Sequence, residues 1–192
     1  MNFFSVPDRG RASPRRPLAL LPLLGLLPLL GAAAVAAEVS EEALKAGFLF
    51  QFTRYVEWPD AAFASPDAPF VIGVAGPQSL SDALEQIVVG KTAGGRPLQV
   101  RRMPNVGSPA EWKGCALIFF SAANESPPAG TELALAAPVL TVSDRAGFAR
   151  DGGMIGFVTA GSRLRLELNG PAADRAGLKI SAKLRQLATE VQ

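Results

Sequence analysis

The chain has 192 residues, of which 48% are apolar, 19% are charged and none is histidine. This composition supports one folded domain, or two small ones, and excludes an acidic disordered chain, a coiled coil and a collagen-like repeat. Without histidine, the chain alone cannot form a serine–histidine triad or most zinc and haem sites. Residues 1–37 contain four arginines and one aspartate, which leaves 15 basic and 16 acidic residues in 38–192. The formal charge of +2 therefore does not indicate a nucleic-acid partner.

The N-terminal segment has the three parts of a secretory signal peptide. A basic region (1–17) precedes an apolar stretch (18–30) and a run of small residues (31–37), which together predict export and removal of residues 1–37. Cleavage after Ala36 or after Ala37 fits, and we favour Ala37 because Glu38 then begins a polar segment. An uncleaved membrane anchor is the alternative, but prolines and a glycine interrupt the apolar stretch.

Export makes the single cysteine informative, because cysteines in oxidising compartments usually pair. Cys115 has no intrachain partner and begins an apolar run that predicts a buried strand. We therefore expect a buried, slowly reacting thiol. A disulfide between two chains is the alternative.

The segment after residue 38 predicts a long helix. Ser40 can cap it, and two glutamates fall in the first turn, where the helix dipole favours negative charge. We expect the helix to end at Trp58, because the residue before a proline avoids helical angles. Its apolar stripe consists of Leu44, Phe48, Phe52 and Tyr55.

The rest of the chain alternates between strand and helix patterns. Predicted strands cover 70–75, 98–103, 115–120, 138–142, 154–159 and 163–168; predicted helices cover 80–87 and 172–176, with a short one ending at 133–137 and a final one carrying Leu184, Leu187 and Val191. Small residues at 160–162 predict a hairpin, whose second strand alternates leucines with charged residues. We predict an α/β fold: a single domain (38–192) with a mixed, mainly parallel sheet flanked by helices and a C-terminal β-hairpin.

No motif in the chain predicts catalysis. Gly73 and Gly76 lie between a strand and a helix, but the further residues of a dinucleotide site are missing, and a tight turn explains them. The run 91–96 lacks the order of a phosphate-binding loop. Three acidic residues lack the spacing of a metal loop: Asp144, Asp151 and Glu167. We therefore predict a binding or regulatory protein without a cofactor or metal, rather than an enzyme.

Eight segments, taken in order, resemble the signature of one known family. They are KAGFLFQFTRYVEWP (45–59), VIGVAG (71–76), GGRPL (94–98), CALIFFS (115–121), PVLTVSD (138–144), GGMIGF (152–157), LELN (166–169) and AGLKISAKLRQLA (176–188). The family is the YfiR-like group of periplasmic regulatory proteins, and the resemblance spans nearly the whole chain after residue 38.

The resemblance implies a periplasmic protein that binds the periplasmic part of an inner-membrane diguanylate cyclase or sensor kinase. Characterised members restrain a diguanylate cyclase and so lower cyclic-di-GMP output and biofilm formation. A homodimer is compatible with this role. Phe157 and Glu167 match positions implicated in holding the membrane partner, and Asn169 matches a recurring asparagine. From the residues alone, Glu167 is equally well explained as a solvated side chain and Phe157 as part of the core.

Redox control does not transfer with the resemblance. Family members under redox control carry cysteine pairs, one of which joins the strand of Cys115 to the strand around Gly73. Here glycine replaces the expected partner, and residues 143–160 contain no cysteine. A second hypothesis for the function is a periplasmic small-ligand binding module or an enzyme, which a pocket with convergent polar groups would favour.

Overall fold

The computed structural model describes residues 40–104, 111–123, 138–161 and 163–191. The predicted signal peptide (1–37), the short helix ending at 133–137 and part of the 104–114 loop lie outside the described residues, as does Ser162 of the hairpin turn.

Helix α1 (Glu41–Tyr55) begins where the sequence predicts and ends earlier than expected. The Ala43 amide donates a hydrogen bond of 3.1 Å to Oγ of Ser40, which caps the helix. At the other end Val56 is extended and forms β1 (Val56–Glu57), which pairs antiparallel with β9 (Lys179–Ile180). The helix therefore ends before Trp58, because Val56 and Glu57 pair with β9 instead of continuing the helix.

The main sheet has eight strands in the order β10-β8-β7-β6-β5-β2-β4-β3. Their bounds are β2 (Phe70–Ala75), β3 (Thr92–Ala93), β4 (Arg96–Arg102), β5 (Leu117–Phe120), β6 (Leu140–Ser143), β7 (Ile155–Ala160), β8 (Arg163–Leu168) and β10 (Ala188–Glu190). The pairing is parallel at each step of the series β4-β2-β5-β6-β7. At the two ends of this series, β3 pairs antiparallel with β4, and β8 pairs antiparallel with β7. This mixed, mainly parallel sheet confirms the predicted fold class.

One face of the sheet carries the main core. Helix α1 and helix α2 (Gln78–Val88) bury apolar side chains in one cluster with alternate residues of the strands. The helical face that enters this cluster is that of Ala46, Leu49 and Phe52, whereas Leu44 is 42% exposed. The predicted stripe of α1 therefore lies only partly in the core.

A second apolar cluster covers part of the opposite face. It contains Val71, Ala75, Met103, Trp112, Cys115, Ile118, Phe120 and Val139. The sheet is therefore buried on both faces at its centre, as the continuous apolar runs of β2 and β5 require.

The C-terminal part holds the hairpin and an additional edge strand. In β8, Leu166 and Leu168 are buried and the arginines are exposed, which confirms the predicted alternation. Helix α3 (Gly170–Arg175) and helix α4 (Ala182–Leu187) follow. The prediction of a helix extending to Val191 is wrong, because residues 188–190 form β10, parallel to β8, and the Val191 amide donates to the Leu168 carbonyl. Hydrogen bonds to the open edge of β8 thus outweigh the helical spacing of the leucines.

Candidate functional site

Glu167 lies on the polar face of the β7–β8 hairpin. It is opposite Gly156 in the strand register, and its side chain is 13% exposed. A Cβ at Gly156 would lie 3.7 Å from the Glu167 Cβ, which is an ordinary van der Waals distance. The guanidinium of Arg150, which is itself exposed, donates a hydrogen bond to Oε1 of Glu167. Glu167 is therefore a mostly buried carboxylate with one charged partner at the surface.

Asn169 holds the 144–153 loop, whose Arg150 pairs with Glu167. Its Nδ2 donates to the Ala149 carbonyl at 2.8 Å, and its Oδ1 accepts from the Ala172 amide at 2.9 Å. The side chain is buried and caps α3. Glu167 and Asn169 thus contact consecutive residues, Arg150 and Ala149, of the 144–153 loop. No local sequence pattern linked that loop to β8, because the two segments meet only through tertiary contacts.

Replacing Asn169 by alanine is expected to lower the free energy of unfolding by about 2–4 kcal/mol. The change removes a helix cap, which contributes about 1 kcal/mol, and leaves the buried Ala149 carbonyl without its partner at about 1–3 kcal/mol. Ser181→Ala, which removes only the cap of α4, is the matched control at about 1 kcal/mol. Urea unfolding measures both. Equal losses for the two variants would show that the bond to Ala149 contributes nothing.

Phe157 lies on the other face of the hairpin, in the main core. It is 2% exposed, and its ring centroid lies 6.0 Å from Phe48, 6.1 Å from Phe52 and 6.2 Å from Phe119. It pairs in register with Leu166, so its side chain and that of Glu167 point to opposite faces. The structure therefore brings Glu167 and Asn169 together around one loop and places Phe157 beneath the strands that carry them.

The 144–153 loop is fastened by non-covalent contacts throughout. Phe148 is buried, and a Cβ at Gly153 would come within 2.2 Å of its ring, so only glycine fits at that position. The guanidinium of Arg145 forms an ion pair of 2.9 Å with Asp151 and lies 5.8 Å from the Phe148 ring centroid. The loop that lacks cysteines is thus held by a buried ring, ion pairs and the amide of Asn169.

An ion pair that the motif analysis missed ties α1 to the end of β6. Nζ of Lys45 lies 2.7 Å from Oδ2 of Asp144 and 2.7 Å from Oε1 of Glu41. Oδ1 of Asp144 accepts the Ala122 amide. Asp144, which lacks the sequence spacing of a metal loop, thus accepts a backbone amide and also neutralises a lysine. The signal in the sequence was the lysine itself, which interrupts the apolar face of α1.

The Cys115 thiol is buried beside Gly73 and Arg101. Burial raises its pKa, which outweighs the opposing effect of the Arg101 guanidinium, whose Nη1 lies 3.6 Å from Sγ. A Cβ built at Gly73 would lie 3.1 Å from Sγ of Cys115 and 2.8 Å from Sδ of Met103. In a disulfide each Cβ lies roughly 3 Å from the partner sulfur, so this distance is compatible with a bridge between positions 73 and 115.

Cys115 is expected to react with a thiol reagent at neutral pH more than about 100-fold more slowly in the folded protein than in urea, because labelling requires the protonated thiol to be uncovered. The time course of labelling in the two conditions measures the difference.

In Gly73→Cys, air oxidation is expected to form a bridge to Cys115 and to raise the free energy of unfolding by up to about 4 kcal/mol. Thiol titration before and after reduction counts the free thiols, and urea unfolding of the oxidised variant measures its stability. Two free thiols in oxidised Gly73→Cys would contradict the geometry.

A separate cavity of about 530 Å³ lies beside the end of α1 and the β3–β4 turn. Aromatic rings of Trp58, Phe63 and Phe70 line it together with Arg54 and Arg96. Two of its polar groups already have backbone partners, since Nε1 of Trp58 donates to the Ala116 carbonyl and the Arg96 guanidinium donates to two carbonyls. The cavity has the size of a small-ligand pocket.

The fold and these sites place the protein among α/β domains with a mixed, mainly parallel sheet. More particularly, the chain belongs to the YfiR/HmsC-like family, whose domain model matches residues 42–189. This match confirms the resemblance seen in the sequence. Members are periplasmic regulators of cyclic-di-GMP signalling that bind a membrane signalling protein. A search among curated proteins finds no match to this chain.

Among the described residues, no group of three or more acidic or cysteine side chains is placed to hold a metal ion. Within the same residues, no helix combines the length and apolarity needed to cross a membrane.

Proposed function

We propose that this protein is exported through the signal peptide at 1–37 and that its domain (38–192) binds the periplasmic part of an inner-membrane diguanylate cyclase. By doing so it lowers the enzyme's output of cyclic-di-GMP without catalysing a reaction or holding a cofactor. The observation that carries the proposal is the family match over 42–189. A sensor kinase is the alternative membrane partner.

The binding surface we propose is the polar face of the β7–β8 hairpin. Glu167 and Arg150 form its charged centre, and Asn169 holds the loop that carries Arg150. Phe157 contributes from the core by fixing the two strands. A protein that prefers the inactive state of the cyclase shifts the enzyme's population toward that state by the difference between its affinities for the two states.

Deletion of the coding sequence is the direct test. We expect intracellular cyclic-di-GMP and surface attachment to rise in the deletion strain and to return to normal on complementation. Pull-down of solubilised membrane proteins by the tagged protein should recover a signalling protein with a periplasmic domain. Unchanged cyclic-di-GMP in a strain that normally makes the protein would reject the proposal.

Replacing Glu167 by alanine should weaken binding of the captured partner by about 2–5 kcal/mol, because the change leaves Arg150 without its carboxylate at a surface that binding would dehydrate. Glu190→Ala is the matched control, since this exposed glutamate of the neighbouring strand β10 pairs with Arg185 of α4 at 2.9 Å. It should cost no more than about 0.5 kcal/mol. Biolayer interferometry on folded variants measures both, and equal small effects would mean that Glu167 is only a surface residue.

The 530 Å³ cavity favours a second candidate function, the binding of a small ligand. Its aromatic walls suit a planar molecule, and its charged lining is mixed, with Glu57 and Asp60 beside Arg54 and Arg96. A thermal-shift screen of such compounds separates the two candidates. A hit that is lost in Trp58→Ala, together with unchanged cyclic-di-GMP in the deletion strain, would support the ligand-binding role.

A further inference from the structure

An apolar groove runs between α1 and α4 above strand β8. We call it the α1–α4 groove and define it by Phe48, Phe52, Tyr55, Leu164, Leu166, Leu184 and Leu187. It consists of two adjoining cavities of about 210 and 250 Å³, which share Phe48, Leu166 and Leu187. Leu166 is buried at its floor and Leu187 stands at its edge. The leucines of the groove lie on the face of β8 opposite Glu167. Arg163 and Arg165 alternate with these leucines and line the outer cavity along the edge of β8 that β10 leaves unpaired.

The groove exposes large apolar side chains that the core does not use. Leu187 is 59% exposed at the end of α4. On α1, Leu44 is also exposed and stands one turn before Phe48, which lines both cavities. Grouped apolar exposure of this kind marks an interaction site, whereas single exposed leucines do not.

Positive charge surrounds the apolar floor. Arg163 and Arg165 line the outer cavity and are exposed, and within the described part of the chain neither has an ion-pair partner. Lys183 adds a third cation, 5.1 Å from the ring centroid of Tyr55. Among the residues that the structure describes, no aspartate or glutamate lines either cavity. A complementary ligand is therefore apolar along one side and acidic at its flank.

We propose that the α1–α4 groove docks an amphipathic, acidic helical segment of the membrane-anchored signalling partner, an inference that rests on the proposed function. Apolar residues one turn apart insert between α1 and α4, and flanking carboxylates pair with Arg163 and Arg165. A second copy of this chain is a poorer occupant, because symmetric contact would bring the same arginines together. A bilayer is also poorer, because its flat surface does not reach the recessed Leu166.

The first experiment uses a synthetic peptide of about 18 residues with leucines on one helical face and glutamates beside them, and a second peptide with lysines in place of the glutamates. Fluorescence anisotropy is measured with the exported protein purified from the periplasm. The acidic peptide should bind, and Leu187→Glu or Arg163→Glu/Arg165→Glu should raise its Kd at least about 10-fold. The lysine peptide should not bind.

Two matched controls separate the groove from general surface effects. Val89→Glu makes the same change at an apolar residue that is 76% exposed at the end of α2, and Arg175→Glu reverses an exposed arginine of α3. Both should leave the Kd within about 2-fold. No binding of the acidic peptide, or equal binding by all variants, would overturn the proposal. Thermal melting confirms that each variant is folded.

The second experiment repeats the membrane pull-down with the same variants. Loss of the partner with Leu187→Glu but not with Val89→Glu supports the groove. If wild type and Leu187→Glu capture the partner equally and only Glu167→Ala fails, the groove proposal falls and the proposed function stands. If wild type captures no signalling protein, the proposed function falls, and the peptide result alone decides whether the groove takes an acidic helix.

Two other occupants have their own readouts. Sedimentation velocity that shows a wild-type dimer dissociating in Leu187→Glu would assign the groove to a second copy. Flotation with phosphatidylglycerol vesicles that is lost in the same variant would assign it to a lipid surface. Either result would overturn the assignment to a partner helix.

Discussion

Replacing Phe157 by alanine is expected to lower the free energy of unfolding by about 3–5 kcal/mol, because a fully buried ring surrounded by three phenylalanines leaves a cavity that its neighbours cannot fill. A domain of this size has about 5–15 kcal/mol in total, so the variant should approach the limit of folding at 37 °C. Urea unfolding at 25 °C measures the loss.

The comparison with Phe157→Leu decides what this residue does for binding. Leucine keeps most of the apolar volume, so we expect a loss of about 1–1.5 kcal/mol and a folded protein with unchanged affinity for its partner. Reduced binding by Phe157→Ala should then follow its reduced folded fraction. A fully folded Phe157→Leu that no longer binds would mean that the ring shapes the surface more directly than its burial implies.

Replacing Lys45 by methionine should cost about 2–4 kcal/mol, because it leaves the Asp144 carboxylate largely buried without its cation. The loss is below that of a fully buried pair because Asp144 keeps the Ala122 amide. Lys179→Met, at an exposed lysine of β9, is the control and should stay within about 0.5 kcal/mol. In Lys45→Met/Asp144→Leu part of the loss should be recovered, since no unpaired charge remains. Additive losses in the double variant would argue against coupling.

The same pair predicts how stability changes at alkaline pH. Burial lowers the Lys45 pKa, but hydrogen bonds and attraction from Asp144 and Glu41 outweigh it and raise the pKa above its ordinary value. The stabilisation is therefore complete below the unfolded pKa of about 10.4 and is lost as the pH rises through the folded value. The difference in stability between wild type and Lys45→Met should be constant from about pH 7 to 9 and shrink above about pH 10.5.

The class of fold was predictable from the sequence because its signals are local. Continuous apolar runs identify β2 and β5, and strict alternation identifies β8 as a strand with one buried face. The last strand was not predictable, because the leucine spacing before Val191 is helical and only the open edge of β8 turns residues 188–190 into β10.

The candidate sites were predictable only in part. Glu167 and Asn169 could be identified from the resemblance, but their shared role in holding the 144–153 loop depends on contacts with Arg150 and Ala149 across 17 and 20 residues. Lys45 and Asp144 are 99 residues apart. Pairs so distant in sequence leave no periodicity, so a single sequence indicates their chemistry but not their partners.

The way in which the 144–153 loop is fastened determines which conditions it responds to. Two ion pairs near the surface, Arg150 with Glu167 and Arg145 with Asp151, are screened by dissolved ions, whereas a covalent sulfur bridge is not. Oxidants and reductants have no bond to make or break within this loop. The loop beside the proposed binding surface should therefore respond to the ionic strength of the compartment rather than to its redox poise, and its folding needs no oxidising enzyme.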